Sequence, residues 1–397
     1  MKYTLLLFLT CIYCIGFCQQ MTPQQVKSID SIVGVYMEKY KILGLSINIV
    51  QHDSELLIKG YGYTDIDKKY PVSENTSFLS CSITKLFTAT AVMQLVEQGK
   101  LKLDEKLITY LPDFKMRDRR YRDITIRHLL THSSGLNWYD ELKTPAADSI
   151  ALRSFVYSLA DKKLNFAPGC KFSGETYSNT AYNILGYLVE KLSGMPYDAY
   201  VRDFILNKAE MQNSTYVHAE VPINRKAMPI VLNGNSREIK RFNLYGEIKD
   251  INPILKYPDC KLVHYTMYGG GPEQNPCGNL NTTADDLGKW MKQCLFIHSD
   301  STNGNKLLQH NTLENMWSLQ RSIPGKHTSI GLGWWRYNDL KNGDYVFHAG
   351  DDPGFSAILI LFPNQDLGVA ILSNAMYAED VIWNKIPQAI SDVVKFP

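Results

Sequence analysis

Two stretches of alternating apolar and polar residues, Leu45 to Val50 and Leu56 to Tyr63, flank the polar turn His52-Asp53-Ser54. Alternation with period two marks half-buried strands, so the pair predicts a β-hairpin opening the mature chain. The period then changes. Leu86, Ala89, Met93 and Val96 recur every three or four residues until Gly99, which predicts a helix and its stop. A second helix is predicted from about Thr180 to Ser193, with Ile184, Leu185, Leu188 and Leu192 on one face and Gly194 after it. A third begins at Thr283, with Asp286 as capping-box partner, and buries Leu287, Trp290, Met291 and Leu295. Strands return from about Ser329: Gly331 to Tyr337, Asp344 to His348, Phe355 to Phe362 and Leu367 to Leu372. Asn342-Gly343 is the hairpin turn between the first two, and Pro363-Asn364-Gln365-Asp366 links the last two. A final helix carries Val381, Ile382, Ile386 and Ile390.

Strands at both ends with helices between them predict an α+β fold rather than alternating βαβ units. Its antiparallel sheet is formed by both chain ends (about 25–75 and 325–397), flanked by helices, and a mainly helical region (about 76–324) is inserted. One domain, 19–397, is expected. The segment from about Arg202 to Met267 is rich in Asn, Lys, Tyr and Pro with little periodicity, and reads as long surface loops.

The net charge of +2 is too small to suggest a nucleic-acid partner. At the N-terminus, Lys2 precedes the apolar run Leu5 to Phe17, and Gly16 and Cys18 stand as small residues before Gln19. That layout predicts a secretory signal, residues 1–18, cleaved after Cys18, and hence a periplasmic or extracellular protein. The run is too short for a membrane span. Lipidation of Cys18 is the competing reading, weakened by bulky Phe17 before it. Of eight cysteines, three leave with the signal, and Cys81, Cys170, Cys260, Cys277 and Cys294 remain. They form no C-x-x-C pair, so free thiols are expected, with a Cys260–Cys277 bridge as the alternative.

Ser82 and Lys85 form a Ser-x-x-Lys at a helix start, which places both side chains on one face. A serine hydroxyl needs an adjacent base, and a lysine can be that base only if burial pulls it below its free pKa of about 10.4. The apolar neighbours Ile83, Leu86 and Phe87 fit such burial. The motif's plain reading is a solvated helix face. Tyr177-Ser178-Asn179 stands at the entrance of the second helix; its plain reading is a cap from Ser178 or Asn179, with Tyr177 packing. His348-Ala349-Gly350 ends a strand, where a lone histidine is usually structural and the glycine allows close backbone approach.

In this order and spacing the three motifs resemble the signature of the penicillin-recognising serine hydrolases. That superfamily comprises class C β-lactamases, D-Ala-D-Ala carboxypeptidases, D-aminopeptidases and related esterases. The resemblance extends to Phe78 through Lys85, Leu129-Leu130-Thr131-His132-Ser133-Ser134-Gly135-Leu136, Gly278-Asn279-Leu280, Gly331 to Trp335 and Asp352 to Ser356, and spans roughly Ser31 to Lys395. It implies a nucleophile at Ser82, a base at Lys85, a proton shuttle at Tyr177 and a substrate-amide contact at Asn179. His348 and Gly350 would line the substrate site, and the backbone N–H groups of Ser82 and Asp351 would form the oxyanion hole. No cofactor and no metal are implied.

Two departures stand out. Class C β-lactamases carry lysine where this chain has His348, which makes β-lactam hydrolysis the least favoured substrate class. If that histidine is partly cationic near neutral pH, it would help to hold a substrate carboxylate. Asp351 places a carboxylate beside the oxyanion hole, tolerable only if it points away.

The implied function is an exported serine hydrolase acting through an acyl-enzyme on small amide, peptide or ester substrates. A wall-fragment or penicillin-binding module with slow or no turnover is the alternative. The expected partner is a small molecule or peptide, a cell-wall peptide among them, and the expected state is a monomer. There is no Gly-x-Ser-x-Gly elbow. His128 and His132 have zinc-motif spacing, but Leu129 stands where the catalytic Glu belongs, so both read as structural.

Overall fold

In the computed structural model, which describes residues 20–137, 150–233, 261–265, 270–295, 307–339 and 343–394, the first regular element is a helix that the strand-first expectation omits. Helix α1 (Pro23–Tyr40) begins at a capping box between Thr22 and Gln25, and Pro23 fills a position that needs no N–H. Val26, Ile29, Val33, Met37 and Tyr40 then recur at helical spacing. The helix ends at Lys41, which takes a left-handed φ of 52°.

The expected hairpin follows as β1 (Gly44–Gln51) and β2 (Ser54–Gly62). A short β3 (Phe78–Leu79) leads into the 3-10 turn Cys81–Ile83 and α2 (Thr84–Glu97). The helical region continues through α3 (Leu107–Tyr110), α4 (Ile126–Leu130), α5 (Ala151–Ser158), α6 (Asn179–Ser193) and α7 (Tyr197–Val201). The part of 202–267 that is described is less irregular than expected. It contains a π-helical turn at Arg202–Leu206 and a small antiparallel ribbon of β4 (Ile230–Asn233) and β5 (Lys261–His264). Next come β6 (Asn281–Thr282), paired with β3, and α8 (Ala284–Leu295).

The capping box expected at α8 is half formed. Asp286 N–H donates to Thr283 Oγ1, but the Asp286 carboxylate turns outward to accept from Asn213 N–H, the Ser214 hydroxyl and Lys289. It anchors the 213–214 loop instead of closing the box at the start of its own helix.

After α9 (His310–Trp317), β7 (Arg321–Ser322), β8 (Thr328–Ile330) and β9 (Trp335–Asp339) enter the main sheet. The single strand expected from Gly331 to Tyr337 is therefore broken. Gly331 to Trp334 is a tight turn, with Gly331 N–H donating to Trp334 O and Gly333 at a φ of 87°. Strands β10 (Gly343–Asp352), β11 (Phe355–Phe362) and β12 (Leu367–Ser373) complete the sheet, and α10 (Ile386–Val394) ends the described chain. The expected Asn342-Gly343 turn falls partly outside the described residues.

The eight strands run in the order β2-β1-β12-β11-β10-β9-β8-β7, so the first and last strands of the chain pair side by side, one strand in from an edge of one antiparallel sheet. This confirms the α+β class and the closure by both ends. Alternation assigns the faces. Phe355, Ala357, Leu359 and Leu361 face the helical region, whereas Ile358, Ile360 and Phe362 face α1 and α10 together with Leu45, Ile47 and Ile49. Helix α8 lies on the inner face, where a Cβ on Gly288 would sit 2.1 Å from the Asn48 side chain. No helix among the described residues is long and apolar enough to cross a membrane.

Candidate active site

Ser82 sits in the 3-10 turn that starts α2, just after Cys81 at a φ of 50°. That left-handed geometry is costly for a residue with a Cβ and persists only where neighbours enforce it. The neighbours are specific. Ser80 N–H donates to Leu280 O at 2.8 Å, and β10 presses against the turn from the other side. A Cβ on Gly350 would lie 2.4 Å from Ser82 N, so only glycine lets the strand approach this closely. The backbone N–H groups of Ser82 and Asp351 thus belong to two segments in contact, as an oxyanion hole requires.

Lys85, one turn on, is wholly buried and places Nζ 2.9 Å from Ser82 Oγ and 2.7 Å from Cys277 O. Burial pulls its pKa down to about 8, against the opposing effects of Cys277, Asp351, Cys81 and Asp352. A neutral amine donating one N–H to the Cys277 carbonyl can turn its lone pair to the serine proton.

Tyr177 leads into α6, its ring 4.9 Å from Lys85 Nζ. Its hydroxyl is buried with no hydrogen bond of good geometry, and burial raises its pKa well above 10, although the nearby Ser82 hydroxyl opposes this. The phenol therefore keeps its proton at neutral pH. Ser178 caps α6 by accepting from Ala181 N–H, so Asn179 is not needed as a cap. Asn179 Oδ1 is buried and unpartnered, open to a substrate donor.

His348 lies on the inward-facing side of β10, 1% exposed. Its Nδ1 is 2.7 Å from Ala349 O, and a carbonyl can only accept, so Nδ1 carries the proton and the buried, unpartnered Nε2 presents a lone pair. Burial first, then Lys85, push its pKa down to about 3. The expectation of a partly cationic histidine is therefore corrected: the ring is neutral at neutral pH. Strand alternation places Asp351 on the opposite face, with Ala349 and Phe347, away from Ser82. There burial raises its pKa to about 6, and it helps raise that of Glu379 to about 8.

Sequence reasoning missed three contributors. His132 is part of the site: its Nδ1 accepts from Ser178 N–H at 3.1 Å and its ring lies 4.2 Å from that of Tyr177. His128 instead accepts from Thr125 N–H, so the zinc-like spacing serves two backbone hydrogen bonds. Trp335 stacks beyond Tyr177 and, with Phe172, makes an aromatic wall. Both His132 and Trp335 lay within the motifs of the resemblance, which was the available signal. The Cys277 carbonyl had none, being a backbone atom far away in sequence. The Cys277 thiol is free and buried and donates to Gln274 Oε1, and Cys260 lies outside the described residues.

Residues 29–386 match the family model described as Beta-lactamase. Among curated proteins the chain is similar to Protein flp of Staphylococcus aureus (strain MW2), 26% identical over 89% of this chain and 64% of that protein. It thus spans less than two thirds of that relative's length. It is also similar to Penicillin-binding protein 4* of Bacillus subtilis (strain 168), 28% identical over 89% of this chain and 73% of that protein. Among solved structures, the D-amino acid amidase of Ochrobactrum anthropi SV3 complexed with L-phenylalanine amide superimposes with a TM-score of 0.74. It covers 94% of this chain and 99% of that one at 20% identity, a likeness of fold.

Proposed function

Because the chain belongs to the Beta-lactamase family, we propose that it is an exported serine hydrolase, acylated at Ser82, that cleaves small amide, peptide or ester substrates. The observation that carries this reading is the buried Lys85 amine, 2.9 Å from Ser82 Oγ and held near a pKa of about 8. As Ser82 Oγ attacks the substrate carbonyl carbon, Lys85 Nζ takes its proton, and the oxyanion is met by the N–H groups of Ser82 and Asp351. The Tyr177 phenol then protonates the leaving nitrogen or oxygen as that bond breaks. Water hydrolyses the acyl-enzyme by the reverse proton path.

A carboxylate brought to the lone pair on His348 Nε2 would be repelled, so the substrate is expected to offer a donor there. This disfavours ligands recognised through a carboxylate at that point and suits an amide N–H, or an ester that carries a donor elsewhere. Export is part of the proposal, on the strength of the apolar run behind Lys2. Amino-terminal sequencing of secreted material should begin at Gln19; a lipid on Cys18 would contradict it.

The decisive experiment is labelling with a fluorophosphonate, followed by intact mass measurement with an aryl ester, a D-Ala-D-Ala peptide and a penicillin. Ser82→Ala should abolish labelling, whereas Ser80→Ala, at a buried hydroxyl paired with Thr84, should leave it nearly unchanged. Persistent labelling of Ser82→Ala would overturn the assignment. Acylation without release would identify a binding module instead.

A further inference from the structure

Behind the segment that carries Cys277 lies a second cavity, of about 570 Å³, a volume typical of ligand sites. Its walls include Glu190, Tyr197, Asp198, Tyr216, Asn275 and Asn279, and none of Ser82, Lys85, Tyr177 or His348. A chain of hydroxyls runs from this cavity toward the Ser82 site. Tyr216 is 3.2 Å from Tyr197, Tyr197 is 2.6 Å from Thr88, and Thr88 donates to Pro276 O at 2.6 Å.

The direction of the chain is forced. Pro276 O can only accept, so it takes the Thr88 proton; Tyr197 must then donate to Thr88, and Tyr216 to Tyr197. The Tyr216 oxygen is left with acceptor capacity at the cavity end. Glu190 accepts from Tyr197 N–H and Asp198 from Ala199 N–H, and each carboxylate brings further lone pairs. No lysine or arginine is among the described residues lining the cavity. Burial and Lys226 lower the pKa of His218, which favours its neutral form. Burial raises the pKa of Glu190, against the pull of the Tyr197 N–H, and a neighbouring cation would offset that rise. These walls therefore offer acceptors and two carboxylates, and the matching ligand is a donor and a cation.

We propose that this cavity is a second binding site, for a small organic ammonium such as a primary amine or a peptide amino group, whose occupancy is felt at Lys85. The route is short. Thr88 lies one turn after Lys85 on α2, and its acceptor Pro276 O directly precedes Cys277 O, which holds Lys85 Nζ. An ammonium donating to Tyr216 polarises the chain and shifts the segment that sets the environment of Lys85.

The test uses the whole chain and cadaverine as probe, with 1-pentanol and hexanoate as neutral and anionic controls. Calorimetry should show saturable binding of cadaverine alone, weakened about tenfold or more in Glu190→Gln/Asp198→Asn, as expected for losing about 1.4 kcal/mol. Ala219→Trp, at the exposed rim, should block binding without touching either carboxylate, which guards against misfolding of the double variant. No binding by wild type, or equal binding by both altered proteins, would overturn the site. The coupling rests on the proposed roles of Ser82 and Lys85. It is read separately, as a shift by cadaverine in the pH midpoint of Ser82 labelling that Tyr197→Phe removes. Binding without that shift would overturn the coupling alone, and loss of labelling without cadaverine would point to the functional reading itself.

Discussion

At the scale of single residues, burial decides which groups carry charge. Lys85 is wholly buried with a pKa of about 8, against 10.5 when exposed. Between those values the unfolded chain holds a proton that the folded chain has released, so this residue makes stability rise with pH across that window. Below pH 8 both states hold the proton and the penalty is constant. Lys85→Met lacks this dependence. From pH 7 to 10.5 wild type should therefore gain on the variant by about 3 kcal/mol in urea-denaturation stability; a constant difference would contradict the buried-amine assignment. His348 gives the opposite kind of check. With a folded pKa of about 3, it destabilises the fold as pH falls below 6.5, yet is uncharged throughout the working range. The KM for a neutral ester or amide should be flat from pH 5.5 to 8. A KM that climbs through pH 6.5 in wild type but not in His348→Gln would show that the ring titrates there after all, as distinct from Asp351, whose pKa burial raises to about 6.

At the scale of elements, the site depends on how close β10 comes to the start of α2. A Cβ at position 350 would meet Ser82 N at 2.4 Å, Cys81 Cβ at 2.8 Å and Ser80 O at 3.1 Å, mostly backbone that cannot rotate away. Gly350→Ala should push the strand back and widen the proposed oxyanion hole. We expect kcat to fall on the order of 100-fold, the cost of losing one such donor, with an unchanged circular dichroism spectrum. A variant of near-normal kcat would show that Asp351 N–H is not a donor to the reaction. The elements themselves were unevenly legible. Helix α6 and the hairpin β1–β2 came from clear periods, whereas Gly331 to Trp334 looked extended because its apolar run hides a positive φ at Gly333. Helix α1 was overlooked although Thr22, Pro23 and Gln25 spell its cap.

At the scale of the whole molecule, the chain ends hold the sheet together. Strand β1 pairs with β12 along its length, and α1 and α10 cover the outer face through Ile29, Val33, Ile386 and Ile390. Because β10 belongs to that same sheet, any loosening of the outer layer reaches the site. Ile390, 1% exposed, is far from Ser82 in sequence and lies on the other side of the sheet. Ile390→Asp buries an unpaired carboxylate and should cost about 4 kcal/mol, read as a lower urea midpoint with labelling lost in parallel. Stability within 1 kcal/mol of wild type would mean that α10 is not part of the core.

The sequence alone determined the class of fold and the strands from the chain ends, and its resemblance to the penicillin-recognising serine hydrolases implied the grouping of Ser82, Lys85, Tyr177, Asn179, His348 and Gly350 into one candidate site. Period, turn residues and motif order are local properties that survive in one dimension. What only the tertiary structure decided were the states of those groups. The lowered pKa of the Lys85 amine, the raised pKa of the Tyr177 phenol and the imidazole near pKa 3 follow from desolvation, which depends on what packs around a residue and not on its neighbours in the chain. The partners of Lys85 and His132, Cys277 O and the Ser178 N–H, are backbone atoms brought from 192 and 46 residues away. No side-chain pattern marks such atoms, because every residue carries a backbone carbonyl and every one but proline an N–H.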